Sequence, residues 1–186
     1  MVQYPEYEEY LKEHTKNIRK AWNWIKKSAK TIPGEKEKII DWNIYLHDDT
    51  KTVDDEYYPY YDYFYNRDKK GKCKNKYAEK NFRIAKLKHF HRNPDHWQHW
   101  VLYDSTGFCV ALDMPYEYIV EMVCNWWSYS WAEGDLWSIF DWYIKNEKKM
   151  KLSKNTTEDL EYILAELEKA LIRVKGGRKW KKKTID

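Results

Sequence analysis

Apolar residues recur at every third or fourth position along most of this chain, a spacing that forms one face of an α-helix. The longest such stripe lies within residues 5–27 and consists of Tyr7, Leu11, His14, Ile18, Ala21, Trp22 and Ile25. Pro5 suits the first turn of a helix, and the glutamates that follow it favour the positive end of the helix dipole. The pattern therefore predicts a long first helix in a mainly α-helical protein.

The same periodicity, interrupted by turn-forming residues, predicts the remaining elements. Further helices are expected at residues 35–47, 54–65, 76–93, 115–131, 136–143 and 157–174. Residues 101–112 have the pattern of a small β-hairpin around a Ser-Thr-Gly turn. Thr156 or Thr157 is expected to cap the last helix, and the two glycines at 176–177 to end it. The expected fold class is mainly α, with a small β-hairpin insertion.

Length and charge place these elements in one domain. A chain of 186 residues is long enough for a single domain with a sizeable core. We expect this helical domain to cover residues 1–175, and residues 176–186 to form a basic, disordered tail. Thirty-four basic and thirty acidic residues leave a net charge of +4, which does not indicate a dedicated nucleic-acid binder. Contact of the basic tail with nucleic acid stays open as the weaker alternative.

Cysteine usage and hydropathy indicate the compartment. Cys73, Cys109 and Cys124 have no paired spacing, which argues against both a disulfide framework and a zinc ribbon. No apolar run approaches the roughly 18 residues of a membrane span, and no signal peptide opens the chain. The sequence therefore predicts a soluble, cytoplasmic protein that does not interact with membranes.

Three predicted helices each place one histidine on their apolar face, namely His14, His47 and His89. One such histidine is most often a core residue, and His47 has the alternative of capping its helix. Three together, with Asp48 and His96 in addition, are harder to explain by packing, because buried imidazoles and carboxylates need partners. A divalent cation is one such partner. We therefore expect a divalent metal (Mn, Fe, Co, Ni, Mg or Zn), and the donor types do not select among these.

Five motifs stand in a characteristic order along the chain. They are His14, His-Asp-Asp-Thr-Lys at 47–51, Pro-Tyr-Tyr-Asp-Tyr-Phe at 59–64, His-Phe-His-Arg-Asn-Pro-Asp-His at 89–96, and Met-Pro at 114–115 with Glu-Met-Val-Cys-Asn-Trp at 121–126. This order resembles the HD-domain superfamily of metal-dependent phosphohydrolases. It is most similar to a family of largely uncharacterised bacterial and phage HD-like proteins. The resemblance extends from about residue 10 to residue 164.

The resemblance implies an HD-like helical bundle that holds one or two cations. The implied metal ligands are His14, His47, Asp48, His89, Asp95, His96 and Asn125. Two of them depart from the family pattern, in which a histidine is expected in place of Asp95 and an aspartate in place of Asn125. A carboxylate can replace an imidazole as ligand, whereas an amide carries no charge to offset a cation. Glu121 lies one turn before Asn125 on the same helix face and is a substitute ligand.

The resemblance also implies catalytic roles for Asp48, Lys51 and Arg92. Asp48 would bridge the metals where there are two, Lys51 has the position that the superfamily uses near phosphate, and Arg92 could hold phosphate with two nitrogens. The alternatives are a surface lysine at a helix end and an arginine that pairs with Asp95 or Glu121. One of the many Trp and Tyr side chains is expected to stack on a base.

These expectations favour a metal-dependent phosphohydrolase acting on a nucleotide or a related small phosphate ester. A second hypothesis is an HD-like protein that lost catalysis through Asn125 and binds a nucleotide or a partner. A third is an HD-like di-iron oxygenase, because similar histidine and aspartate sets hold iron. The expected partner is a small phosphate compound, and the sequence does not indicate an oligomeric state.

Overall fold

The computed structural model describes residues 4–176, and in that range seven α-helices and one hairpin form the fold. The helices are α1 (Pro5–Ser28), α2 (Glu37–Leu46), α3 (Asp54–Phe64), α4 (Ala78–Arg92), α5 (Tyr116–Glu133), α6 (Ser138–Asn146) and α7 (Lys154–Lys175). Strands β1 (Val101–Tyr103) and β2 (Cys109–Ala111) pair antiparallel, with Leu102 opposite Val110. The mainly α class with a small β-hairpin, predicted from the sequence, is confirmed.

Helix α5 forms the centre of the core, because most of its middle residues are apolar. Ile119, Val120 and Trp127 are fully buried, and α1, α2, α6 and α7 all pack against this helix. The stripe predicted for α1 supplies a facing surface, in which Ile18 and Ile25 are likewise buried. Each such side chain stabilises the fold by roughly 1.5–3 kcal/mol through the apolar surface it removes from water. The α1–α5 pair is therefore a rigid base for the polar residues that these two helices also carry.

A second helical pair, α3 and α4, packs against α1 through tyrosines. Tyr57 of α3 packs on Tyr7 of α1 with ring centres 5.1 Å apart, and its hydroxyl donates to Glu8. Lys88 of α4 binds Asp55 of α3 at 2.8 Å, which joins the two helices of the pair. The tyrosine contacts hold α3 beside the first half of α1.

The helix bounds differ from the sequence prediction by a few residues, and two of the differences affect how the chain is held. Helix α2 stops one residue before His47, whose backbone is extended. Ser153 caps α7, because its hydroxyl accepts the backbone N–H of Thr156 at 3.1 Å. The prediction of Thr156 or Thr157 as the cap was wrong. Thr156 is buried instead, and its hydroxyl accepts the backbone N–H of Met114, which ties α7 to the residues before α5.

Three other expectations concern the tail, the cysteines and the membrane. Of the tail predicted at 176–186, only Gly176 is described; it ends α7 with a φ of 68°, and the remainder lies outside the described residues. Cys73, Cys109 and Cys124 are all free thiols. Within residues 4–176, no helix combines the length and the apolar character that crossing a bilayer requires.

The cap of α7 can be tested by Ser153→Ala. Loss of the hydroxyl leaves a backbone N–H of the first turn without its acceptor, at a cost of about 1 kcal/mol. We expect the melting temperature to fall by about 2–4 °C in a circular dichroism melt. Ser105→Ala, in the exposed turn of the hairpin, is the matched control and should leave it unchanged. Equal melting temperatures for both variants would show that Ser153 does not cap the helix.

Candidate metal centre

Asp48 lies two residues after the end of α2 and adopts the left-handed backbone conformation, with a φ of 66°. In the described part of the chain, it alone among non-glycine residues has a positive φ. Aspartate tolerates this conformation better than most residues, yet such positions cost roughly 1–3 kcal/mol and cluster at functional sites. The side chain of Asp48 is 3% exposed, so the turn presents a carboxylate to the interior.

Three imidazoles from separate parts of the chain face this carboxylate. The Nε2 atoms of His14, His47 and His89 lie 3.4, 3.7 and 3.5 Å from Asp48 oxygens. All three distances exceed the usual 2.7–3.2 Å of an N–H···O hydrogen bond. They are close to the separation of two ligands on one metal ion, because donors 2.0–2.2 Å from an ion at the tetrahedral angle are about 3.3–3.6 Å apart. The geometry is that of ligands arranged around a cation.

The opposite ring nitrogens of the same histidines are within hydrogen-bonding distance of oxygen atoms. From Nδ1 to oxygen, His47 is 2.8 Å from Glu121, His89 is 2.9 Å from Glu56, and His14 is 3.2 Å from Ser128. Histidines that bind metals commonly donate their second N–H to a carboxylate or another oxygen. That bond fixes the tautomer whose free nitrogen faces the metal. Each of the three rings is therefore held from behind, with Nε2 turned towards Asp48.

His47 Nε2 needs a partner that the described residues do not supply. This atom is buried and has no hydrogen-bond partner among residues 4–176. Buried polar atoms are nearly always paired, and each exception in a native structure requires an explanation. A cation beside Asp48 would accept the lone pair of this nitrogen. Two groups of buried side chains meet the requirements for holding an ion, His14 with His47 and Asp48, and His47 with Asp95 and Glu121.

The cluster continues from His89 to His96, Asp95 and Asn125. The Nε2 atoms of the two histidines are 2.9 Å apart, which is a hydrogen-bonding distance. Asp95 Oδ2 lies 3.8 Å from His47 Nδ1 and 3.9 Å from His96 Nε2. Asn125 donates from Nδ2 to the same Asp95 oxygen at 3.2 Å. The structure thus brings all the residues that the sequence suggested as metal ligands into one region of the interior.

This region contains more buried acids than permanent cations. Four carboxyl groups are buried, from Asp48, Glu56, Asp95 and Glu121. Among the described residues, Lys51 pairs with Asp48 and Arg92 with Glu56. Burial, together with the neighbouring Glu121 and Asp48, raises the pKa of Asp95 to about 7. Although burial opposes it, the same carboxylates raise the pKa of His47 to about 9. Burial lowers the pKa of His14 to about 4. Uncompensated buried charge is costly, and a divalent cation would offset it.

Arg92 does not face the cluster. Its guanidinium binds both oxygens of Asp55, at 2.7 and 2.8 Å, and Glu56 at 2.8 Å. The sequence suggested Asp95 or Glu121 as partners of Arg92, and the structure shows Asp55 and Glu56 instead. Arg92 orients the carboxylate of Glu56, which in turn binds His89 Nδ1, so its contact with the cluster is indirect.

A cavity of about 380 Å³ opens beside the cluster. Lys51 lines it and binds Asp48 Oδ2 through Nζ at 2.7 Å. Tyr10 forms another part of the wall, with its ring parallel to that of His14 and 5.8 Å from it. Tyr60 lies 6.0 Å from the His89 ring, centre to centre. Lys51, Tyr10 and Tyr60 therefore lie between the cavity and the cluster, and the Lys51 side chain is 11% exposed. Among the described residues, neither Asp48 nor a histidine forms part of the cavity wall.

Comparison with known proteins places the chain in a family. The chain belongs to a family of unknown function, DUF5662, whose model matches residues 3–166. That span includes every residue of the cluster. No curated protein and no solved structure matches the chain. The motifs and the cluster support the resemblance to HD-domain enzymes. No matched protein supports it.

Sequence reasoning did not identify the groups that hold the histidines in place. Glu56 and Ser128 were not considered as part of the site, and Glu121 only as a substitute ligand. Glu56 lies 33 positions from His89, and Ser128 lies 114 positions from His14, so no local pattern reveals the pairs. The available signal was the spacing of Glu121 and Ser128 on one face of α5.

Glu121→Gln tests whether this carboxylate positions His47. The amide keeps the volume but no longer secures the tautomer with Nε2 free. We expect an about 10- to 100-fold loss of affinity for Mn²⁺ or Zn²⁺ in calorimetric titrations, with little change in fold. Glu133→Gln, at the exposed end of the same helix, is the matched control. Native affinity in Glu121→Gln would show that Glu121 does not position a metal ligand.

Proposed function

We propose that this chain is a metal-dependent phosphohydrolase that acts on a nucleotide or a related small phosphate ester. One observation carries the proposal. The Nε2 atoms of His14, His47 and His89 lie around the buried carboxylate of Asp48 at the spacing of shared metal ligands. Lys51, a partner for phosphate, lies against the same carboxylate at the wall of a cavity.

The donor atoms favour a transition metal. Imidazole suits Mn, Fe, Co, Ni and Zn, whereas Mg²⁺ prefers oxygen ligands and keeps several waters. Asp48 can serve one ion or bridge two, because its Oδ2 faces His14 while its Oδ1 faces His47 and His89. We therefore propose one or two ions of the first transition series.

In hydrolysis, the bound cation and Lys51 would have different roles. A bound cation would lower the pKa of a water molecule and neutralise charge on the phosphoryl oxygens. The Lys51 ammonium is placed to bind a phosphoryl oxygen next to Asp48 and to hold the ester in line. The water oxygen bonds to phosphorus, the ester P–O bond breaks, and the leaving oxygen takes up a proton. The products are an alcohol and inorganic phosphate.

The HD resemblance supports the proposal through the His47–Asp48 pair. The two departures from the family pattern, Asp95 and Asn125, bear on how the ion would be held. Asn125 donates to Asp95, so the pair Asp95–Asn125 brings one carboxylate to a place where the family pattern has a histidine and an aspartate. The formal charge next to the ion is the same as in that pattern, because Asp95 supplies the carboxylate that Asn125 lacks. We therefore expect a functional centre in which the carboxylate of Asp95 offsets the amide of Asn125.

Two other functions lead to different measurements on the same purified protein. A protein that only binds its ligand would bind nucleotide with or without metal and release no phosphate. A di-iron oxygenase would contain iron and consume oxygen. We expect phosphate release from a panel of nucleotides and small phosphate esters in the presence of Mn²⁺, Co²⁺, Ni²⁺ or Zn²⁺. Iron with oxygen consumption, or nucleotide binding without any phosphate release, would refute the proposal.

Asp48→Asn tests the central carboxylate while preserving the backbone, because asparagine also tolerates a positive φ. Removal of the charge should lower metal affinity by at least about 100-fold and abolish phosphate release, since Asp48 faces every proposed histidine ligand but His96. Asp49→Asn, the exposed neighbouring aspartate, is the matched control and should retain both properties. Metal content by mass spectrometry and phosphate release provide the readouts. Native metal content in Asp48→Asn would show that Asp48 is not a ligand.

Asn125→Asp tests the second departure. The new carboxylate would face Asp95, so without metal the repulsion should lower the melting temperature. With Mn²⁺ the added charge should tighten binding, and the rise in melting temperature on adding metal should exceed that of the native protein. Asn81→Asp adds the same charge at an exposed position of α4 and should change neither quantity. A lower melting temperature without any gain in affinity would favour a protein that does not use metal.

A further inference from the structure

We propose that the cavity beside the cluster binds a small phosphomonoester with a planar ring, with its single phosphate at Lys51 and the ring between the aromatic walls. This inference rests on the proposed phosphohydrolase function and adds the class of substrate. Its support comes from the cavity walls, one buried hydroxyl, the distribution of cations and the size of the space.

Aromatic side chains from four helices form the walls. Tyr10 of α1 and Tyr129 of α5 both line the cavity, and their hydroxyl oxygens are in contact at 3.5 Å. Tyr60 and Phe64 of α3 pack edge-to-face on Phe82 of α4, with ring centres 5.0 and 5.2 Å apart. A planar ring can stack on such walls, because aromatic side chains bind planar rings through their faces.

The hydroxyl of Tyr7 indicates a polar ligand in this cavity. Tyr7 lines the cavity and is 1% exposed, yet its hydroxyl has no hydrogen-bond partner within residues 4–176. An unmade hydrogen bond of a buried hydroxyl is unfavourable. A phosphate oxygen would accept this O–H.

The cations and the volume limit the ligand to one phosphate. Lys51 and Lys86 are the lysines of the cavity wall, and Lys51 alone binds Asp48. Lys86 is exposed and lies over the ring of Phe90, 5.3 Å from its centre. A space of about 380 Å³ is near the lower end of ligand sites, which span about 300–1,000 Å³. A ring with one phosphate fits this volume and charge better than a di- or triphosphate.

The test uses ligands that the protein cannot hydrolyse. The purified full-length protein, loaded with Mn²⁺, is titrated by calorimetry with 1-naphthylmethylphosphonate and with butylphosphonate. The carbon–phosphorus bond of both compounds resists phosphatases, so binding is measured without turnover. We expect the ring-bearing compound to bind at least about tenfold more tightly. Equal affinities would overturn the assignment of the cavity to a planar ring.

Tyr7→Phe tests the phosphate end, because it removes one oxygen atom and keeps the ring. We expect both phosphonates to bind about three- to tenfold more weakly, as for the loss of one hydrogen bond. Tyr103→Phe, on the exposed hairpin, is the matched control, and a thermal melt of each variant reports on its folding. Unchanged affinity in a folded Tyr7→Phe protein would overturn the role of the hydroxyl.

Hydrolysis assays separate this inference from the proposed function. Tight binding of the naphthyl phosphonate without phosphate release from 1-naphthyl phosphate would support the cavity assignment and refute the phosphohydrolase. Hydrolysis of 1-naphthyl phosphate and butyl phosphate with equal KM would support the phosphohydrolase and refute the cavity assignment. We expect hydrolysis of both esters, with the lower KM for the naphthyl compound.

Discussion

The buried charge of Asp48 is the constraint on which the polar interior of this protein depends. A carboxylate that is 3% exposed and held in a left-handed turn requires compensation, and the chain supplies it from several directions. Lys51 contacts one oxygen, and three imidazoles surround the carboxylate just beyond hydrogen-bonding distance. That gap, together with the buried histidine and acidic side chains around it, is compatible with a site that could hold an ion.

Different side chains form the apolar core and the polar cluster. The apolar faces of α1, α5 and α7 contribute most of the buried apolar side chains of the core. The histidines come from α1, the end of α2, α4 and the segment after α4, and each of the first three is braced by an oxygen on another helix. Bracing of this kind preorganises a centre, because the rings need not reorient when an ion or a substrate arrives.

Helical periodicity predicted the fold class and the inward direction of His14 and His89, because both follow apolar stripes with a spacing of three or four residues. The inward position of His47 was also expected, although it lies just beyond the end of its helix. The limits of prediction are physical. Glu56 reaches His89 from another helix, and Arg92 binds Asp55 rather than a ligand, so tertiary contacts decide both roles. The sequence offered Thr156 and Thr157 as caps of α7, but Ser153 caps this helix. Thr156 is buried instead and binds the backbone N–H of Met114, a contact that no local pattern reveals.

The most direct test of the account is X-ray absorption spectroscopy of the full-length protein loaded with Co²⁺. We predict a first coordination shell near 2.1 Å with at least three nitrogen ligands, together with the outer-shell scattering that is characteristic of imidazole rings. Such a spectrum would place His14, His47 and His89 on the ion beside Asp48. A shell of oxygen alone without imidazole scattering, or the spectrum of hydrated Co²⁺, would contradict the account and leave the cluster as a hydrogen-bonded element of the core.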